Sequence, residues 1–175
     1  MRYAAFLRGV NVGKNHRVSS AELKALFEEL GADGVATFRT SGNVVFEAPR
    51  DMGPRIEKRL EEALGYRVAV YLRTASELNE IVAAKPFPAK DIEAAKGKLQ
   101  VSMLESKPTA ATRKKVLALA TDKDRLAFGK RELFWLPSGG TQNAELDRKA
   151  IDELLGPTTM RTKGTVELLA EKFFV

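Results

Sequence analysis

Cysteine is absent from the 175 residues. That removes disulfides, thiolate metal sites and a Cys nucleophile together, and with no use made of an oxidising compartment a cytoplasmic location is expected. Histidine occurs once, at position 16, so a metal site with two His ligands from one chain is excluded. Carboxylates could still hold Mg²⁺, but no acidic cage stands out, and neither metal nor cofactor is expected. No apolar run approaches the ~20 residues of a membrane span. Tyr3–Leu7 is apolar but reads as a strand rather than a leader, so no membrane partner is expected.

What is present describes an ordinary globular chain, 44% hydrophobic and 30% charged, with a formal charge of +6. The positive sign favours anionic partners through steering, without naming a function. Tyr3–Leu7 forms the first expected strand. Ser19 and Glu22 then make a capping box before a helix with Leu23, Leu26, Phe27 and Leu30 on one face, stopped at Gly31. Gly34–Phe38 and Val44–Phe46 read as strands joined by a turn in which Gly42 and Asn43 suit positive φ. Pro54 suits the first turn of a helix carrying Ile56, Leu60, Ala63 and Leu64, and Val68–Leu72 is the next strand. The order is β-α-β-β-α-β, the ferredoxin-like pattern. Thr74 and Glu77 cap one more helix, which Pro86 and Pro88 terminate.

The second half repeats this order. A strand at Leu99–Leu104 and a helix from Pro108 to about Ala120 are followed by a hairpin, Leu126–Phe128 and Leu133–Leu136, around Gly129. A helix turning Leu146, Ala150, Ile151, Leu154 and Leu155 inward stops at Gly156-Pro157. The last strand is not evident, and Thr165–Phe173 reads as helical. The expected class is therefore α+β, with two ferredoxin-like βαββα(β) repeats and a C-terminal helix. Residues 1–84 form the first unit, 85–97 a linker and 98–175 the second unit, a pattern that suggests an old duplication.

Between the first strand and first helix lies FLRGVNVGKNHR, residues 6–17. A P-loop reads G-x-x-x-x-G-K-[ST] and starts its helix at the Lys. Here only three residues separate Gly9 from Gly13, Asn15 follows Lys14, and the helix starts after Ser19. The nucleotide-hydrolase reading fails. What survives is a loop of backbone amides with Arg8, Asn11, Lys14, His16 and Arg17, suited to a small anion. The segment Arg39-Thr40-Ser41-Gly42-Asn43 carries donors, including an Arg that a plain hairpin turn does not need. Residues 159–165 put Arg161, Lys163 and three Thr side chains ahead of an apolar face of Val166, Leu169 and Phe173.

Charge is uneven. Between Lys107 and Arg131 there are eight cations (Lys107, Arg113, Lys114, Lys115, Lys123, Arg125, Lys130, Arg131) against Asp122 and Asp124. A solvated surface is the favoured reading of this segment, with a nucleic-acid footprint second. Spaced aromatics of an RNA-recognition sheet are missing, since Phe134 and Trp135 point to opposite faces of a strand. No G-x-S-x-G elbow occurs.

FLRGVNVGKN, TSGNVVF and the closing T-x-R-x-x-x-TV stretch together resemble the bacterial family known as domain of unknown function 1697. Leu7-Arg8-Gly9, Asn11-Val12-Gly13, Ser41-Gly42-Asn43, Thr159, Arg161, Thr165 and Val166 carry the resemblance. This chain has Thr162 and Lys163 where Asn and Trp are usual, and Asn143-Ala144-Glu145-Leu146 where Ser-Lys-Leu is common. The resemblance implies duplicated ferredoxin-like units, brings no activity, and ranks the glycine loop and the SGN turn above ordinary loops.

The leading expectation is a binding protein for a phosphate- or carboxylate-bearing ligand. Arg8, Lys14 and Arg39 would neutralise charge, Asn11, Ser41 and Asn43 would orient it, and Arg161 with Thr165 would close the far side. The competing readings are a nucleic-acid binder using residues 107–131, an enzyme with His16 as acid or base, and a module that forms a homodimer by pairing sheet edges.

Overall fold

The computed structural model describes residues 1–11, 14, 17–39 and 42–175. The chain divides into two compact units, residues 1–79 with 169–175, and residues 80–168.

In the first unit, β1 (Arg2–Leu7), α1 (Ser20–Glu29), β2 (Asp33–Thr37), β3 (Asn43–Glu47), α2 (Gly53–Leu64) and β4 (Val70–Thr74) follow the expected order. The sheet runs β2-β3-β1-β4 with antiparallel neighbours throughout. This is the ferredoxin-like arrangement, in which the first strand pairs with the third and fourth. Alternate residues Tyr3, Ala5 and Leu7 join Phe27, Phe46, Ile56 and Leu60 in a core between sheet and helices. Phe46 stacks on Tyr3 and meets Phe27 edge-on, with ring centroids 5.5 and 5.3 Å apart. Ala4 and Phe6, on the other face, are buried as well. Burial on both faces explains why β1 appears in sequence as a continuous apolar run rather than an alternating one.

Local signals place α1 closely. The Ser19 hydroxyl accepts from Glu22 N at 3.1 Å, and Glu22 Oε2 accepts from Ser19 N at 2.7 Å, closing the capping box. At the other end Gly31, at φ +87°, lets its own N–H reach Glu28 O and that of Ala32 reach Phe27 O, which satisfies two terminal carbonyls. Ser19→Ala should cost about 1 kcal/mol, measurable as a lower denaturation midpoint at unchanged m-value.

After β4 comes α3 (Ala75–Ala83), started by the reciprocal pair of Thr74 and Glu77. A short helix, α4 (Ala89–Ala94), occupies the segment expected to be linker. The second unit continues with β5 (Gln100–Met103), α5 (Ala110–Leu117), β6 (Asp124–Phe128), β7 (Glu132–Pro137), α6 (Arg148–Leu155) and β8 (Thr159–Thr162), before α7 (Lys163–Phe173). Its sheet order, β6-β7-β5-β8, repeats that of the first unit. Val116, Leu133 and Ile151 centre the core beside α5 and α6.

Three expectations are corrected. The second unit has its fourth strand: β8 pairs with β5, Val101 opposite Arg161 and Met103 opposite Thr159. Thr-Met-Arg-Thr hides this strand because its buried positions are Thr159 and Arg161 rather than apolar residues. In α6, Leu154 does not turn inward but stays 36% exposed, while Ile151 is buried. Among the described residues of the first hairpin, positive φ belongs to Gly42 and Arg39, and Asn43 is the first residue of β3.

Candidate functional site

The end of β1 and the start of β3 meet because the two strands are antiparallel neighbours, with Phe6 opposite Asn43. One step further, Leu7 N donates to Gly42 O at 2.8 Å. The LRG exit and the SGN turn are thus adjacent through a backbone hydrogen bond. A third element, the start of α1, joins them through Asn11, whose Oδ1 accepts from Val18 N at 2.9 Å.

These elements enclose a cleft of about 440 Å³. Among the described residues, Arg17 and Arg39 supply its positive charge and Glu22 its negative charge, while Ser19, Ser20 and Thr37 add hydroxyls. The Glu22 carboxylate is engaged by the Ser19 amide. Asn11 and Arg39 both line the cleft, with φ of +55° and +60°. Asn adopts this region readily, whereas Arg does so at a cost of about 1 kcal/mol or more, held by its surroundings. The Arg39 guanidinium lies 5.4 Å from the centre of the Phe38 ring.

Of the residues singled out by sequence, Asn11, Arg39 and Asn43 line this cleft together. Asn43 is buried, and its Nδ2 donates to Phe38 O at 2.9 Å while Phe38 N donates to its carbonyl, so it clamps the hairpin. Arg8 and Lys14 are exposed and lie outside the described lining. Ser41 falls outside the described residues, as does His16, on which the acid–base reading rests.

Arg161 and Thr165 belong to the second unit. Arg161 is buried in β8, with Nη1 donating to Thr159 Oγ1 at 2.8 Å and Met160 O at 2.9 Å. Burial lowers its pKa to about 10, so it stays charged at neutral pH. Thr165 donates its amide to Thr162 Oγ1, a local turn at the start of α7.

Arg17, named above in the anion-suited loop, also lines the cleft, whereas Ser20 and Thr37 have no place in the sequence expectation. The capping box is the available signal for Ser20, since it fixes the helix start and so puts residues 17–20 at one place. Among the described residues no group of three or more His, Asp or Glu could hold a metal ion, and no helix is long and apolar enough to cross a membrane.

Several cations of the 107–131 segment have local engagements. Arg125 pairs with Asp91 at 2.6 Å, Lys130 with Glu80 at 2.9 Å and Lys123 with Glu145 at 3.8 Å. Arg131 Nη1 donates to Glu105 O.

The family described as protein of unknown function (DUF1697) matches residues 1–134. The chain belongs to this family. The matched stretch takes in the glycine loop and the SGN turn and ends before Thr159. The solved structure of conserved bacterial protein SP0830 from Streptococcus pneumoniae is similar in fold over 97% of each chain, with a TM-score of 0.72 and 21% identity. Among curated proteins nothing matches this DUF1697 chain.

Proposed function

We propose that the first-unit cleft binds a small ligand bearing a phosphate or carboxylate group. The observation that carries this reading is Arg39, held at φ +60° on the wall of a cleft that Arg17 also lines. Backbone strain concentrates at functional sites, and a guanidinium offers a planar fork to either anion. Arg17 and Arg39 neutralise the ligand, the Ser19, Ser20 and Thr37 hydroxyls orient it, and exposed Arg8 and Lys14 steer its approach. The reading rests on first-unit residues alone.

A thermal-shift screen of nucleotides, sugar phosphates, dicarboxylates and short oligonucleotides tests it on the wild type and Arg39→Asn. Asn removes the cation while tolerating left-handed backbone. At a hundred times its dissociation constant, a ligand of the native state stabilises it by about 2.7 kcal/mol, roughly 5–10 °C in a chain of this length. One small anion should produce that shift, and Arg39→Asn should weaken it about tenfold. Equal shifts in both proteins, or none from any small anion, would overturn the assignment. Oligonucleotides stabilising both proteins alike would move the search to the basic second half.

A further inference from the structure

The second unit repeats the backbone setting of the first cleft. Leu104 N donates to Arg131 O at 2.9 Å, as Leu7 N does to Gly42 O, and Gly129 N donates to Glu132 O, as Phe38 N does to Asn43 O. Lys130 follows Gly129 as Arg39 follows Phe38, in a turn two residues shorter. Here too there is a cleft, of about 330 Å³, formed entirely by residues between 80 and 168.

Its chemistry is different. Lys107, Arg113 and Lys130 line it, and so do Ile81, Phe128 and Phe134. Arg113 is held on both sides: Nη2 donates to Gly129 O at 2.9 Å and Lys130 O at 3.1 Å, and the guanidinium lies 5.1 Å from the centre of the Phe128 ring. Its Nε is buried and has no hydrogen-bond partner among the described residues. Lys107 is exposed and has no ion-pair partner among the described residues. Lys130 carries a neighbouring negative charge, because it is paired with Glu80.

We propose that this cleft is a second binding site, for a carboxylate or phosphate carried on a flat apolar or aromatic body. The anionic group sits between Lys107 and the Arg113 guanidinium, and the body lies against Phe128, Phe134 and Ile81. An oriented guanidinium beside an aromatic ring selects such amphipathic anions over bare ones. Glu80 opposes the ligand twice, by holding Lys130 and by repelling the anion.

The test is amide chemical-shift titration of the full chain with phenyl phosphate and phenylacetate, using inorganic phosphate as the comparison. At least one aromatic anion should move the Gly129 and Lys130 amides, and which binds better identifies the anionic group. Lys107→Ala and Arg113→Lys should each weaken binding about tenfold, the latter because it keeps the charge and removes the planar guanidinium held by Gly129 O, Lys130 O and the Phe128 ring. Glu80→Gln should tighten it roughly two- to threefold. Lys107 and Glu80 are surface side chains, so their effects do not depend on refolding of the unit.

Absence of shifts at Gly129 and Lys130 up to about 10 mM would overturn the proposal. So would affinities indifferent to both Lys107→Ala and Glu80→Gln. Inorganic phosphate binding as tightly as phenyl phosphate would overturn the apolar half. Gly42 and Asn43 report separately on the first-unit cleft, which distinguishes failure of one site from failure of the other.

Discussion

Gly42→Ala is expected to destabilise the protein by about 2–4 kcal/mol, lowering its thermal midpoint by roughly 5–15 °C. Two effects combine. The residue has φ +80°, where a side chain is strained by about 1 kcal/mol. An added Cβ would also lie 2.5 Å from Val10 Cγ2 and 3.0 Å from Leu7 Cβ. Neither neighbour retreats easily, because Val10 and Leu7 are buried in the first-unit core. Thermal denaturation of Gly42→Ala beside Gly34→Ala separates the terms: Gly34 also has positive φ, at +57°, but no atom lies within 4 Å of its added Cβ. Gly34→Ala should therefore lose only about 1 kcal/mol. Equal losses would mean that backbone strain accounts for both and that the close approach of the hairpin to β1 contributes little.

That close approach also governs the cleft. Gly42 is where the turn before β3 touches the exit of β1, and Arg39 and Asn11 stand on the two sides of this contact. Displacing the turn moves Arg39 relative to α1. Gly42→Ala should therefore lose small-anion stabilisation along with stability, whereas Gly34→Ala should retain it.

The parts of the fold legible in the sequence are those fixed by short-range chemistry. Ser19 with Glu22 and Thr74 with Glu77 each satisfy helix amides within four residues, so their spacing alone locates α1 and α3. Apolar runs located β1 and β7 because both strands are buried throughout or nearly so. The LRG exit and the SGN turn meet because the ferredoxin-like order makes β1 and β3 antiparallel neighbours. β8 was hidden because buried Thr and Arg do not make an apolar pattern. The positive φ of Arg39 left no trace either, since an Arg there is imposed by its surroundings and not by its own preference. The second cleft is assembled from α3, the loop before α5, α5 itself and the β6–β7 hairpin, a grouping that only the sheet order brings together.

Asp124 is a further case in which sequence and structure part, and it carries the largest polar effect expected here. In sequence it counts as one of two acids diluting a basic surface. In the fold it is 1% exposed, at the start of β6. Its Oδ1 accepts from Trp135 Nε1 and its Oδ2 from Glu145 N, both at 2.9 Å. One carboxylate thus ties β6, β7 and the segment ahead of α6 together. Bonds to a charged acceptor contribute about 1.5–3 kcal/mol each, and removing the acceptor strands a buried indole N–H. Asp124→Ala should cost about 3–5 kcal/mol, and Asp124→Asn about 1–3 kcal/mol, because Asn keeps an oxygen for one donor only. Trp135 is the single tryptophan, so its fluorescence during urea unfolding reads this site directly. A loss below about 1 kcal/mol for Asp124→Ala would mean that water replaces the carboxylate at both donors. A full loss with a red-shifted native spectrum would instead mean that the indole has left its pocket, and that Asp124 holds the β6–β7 pair in register against α6.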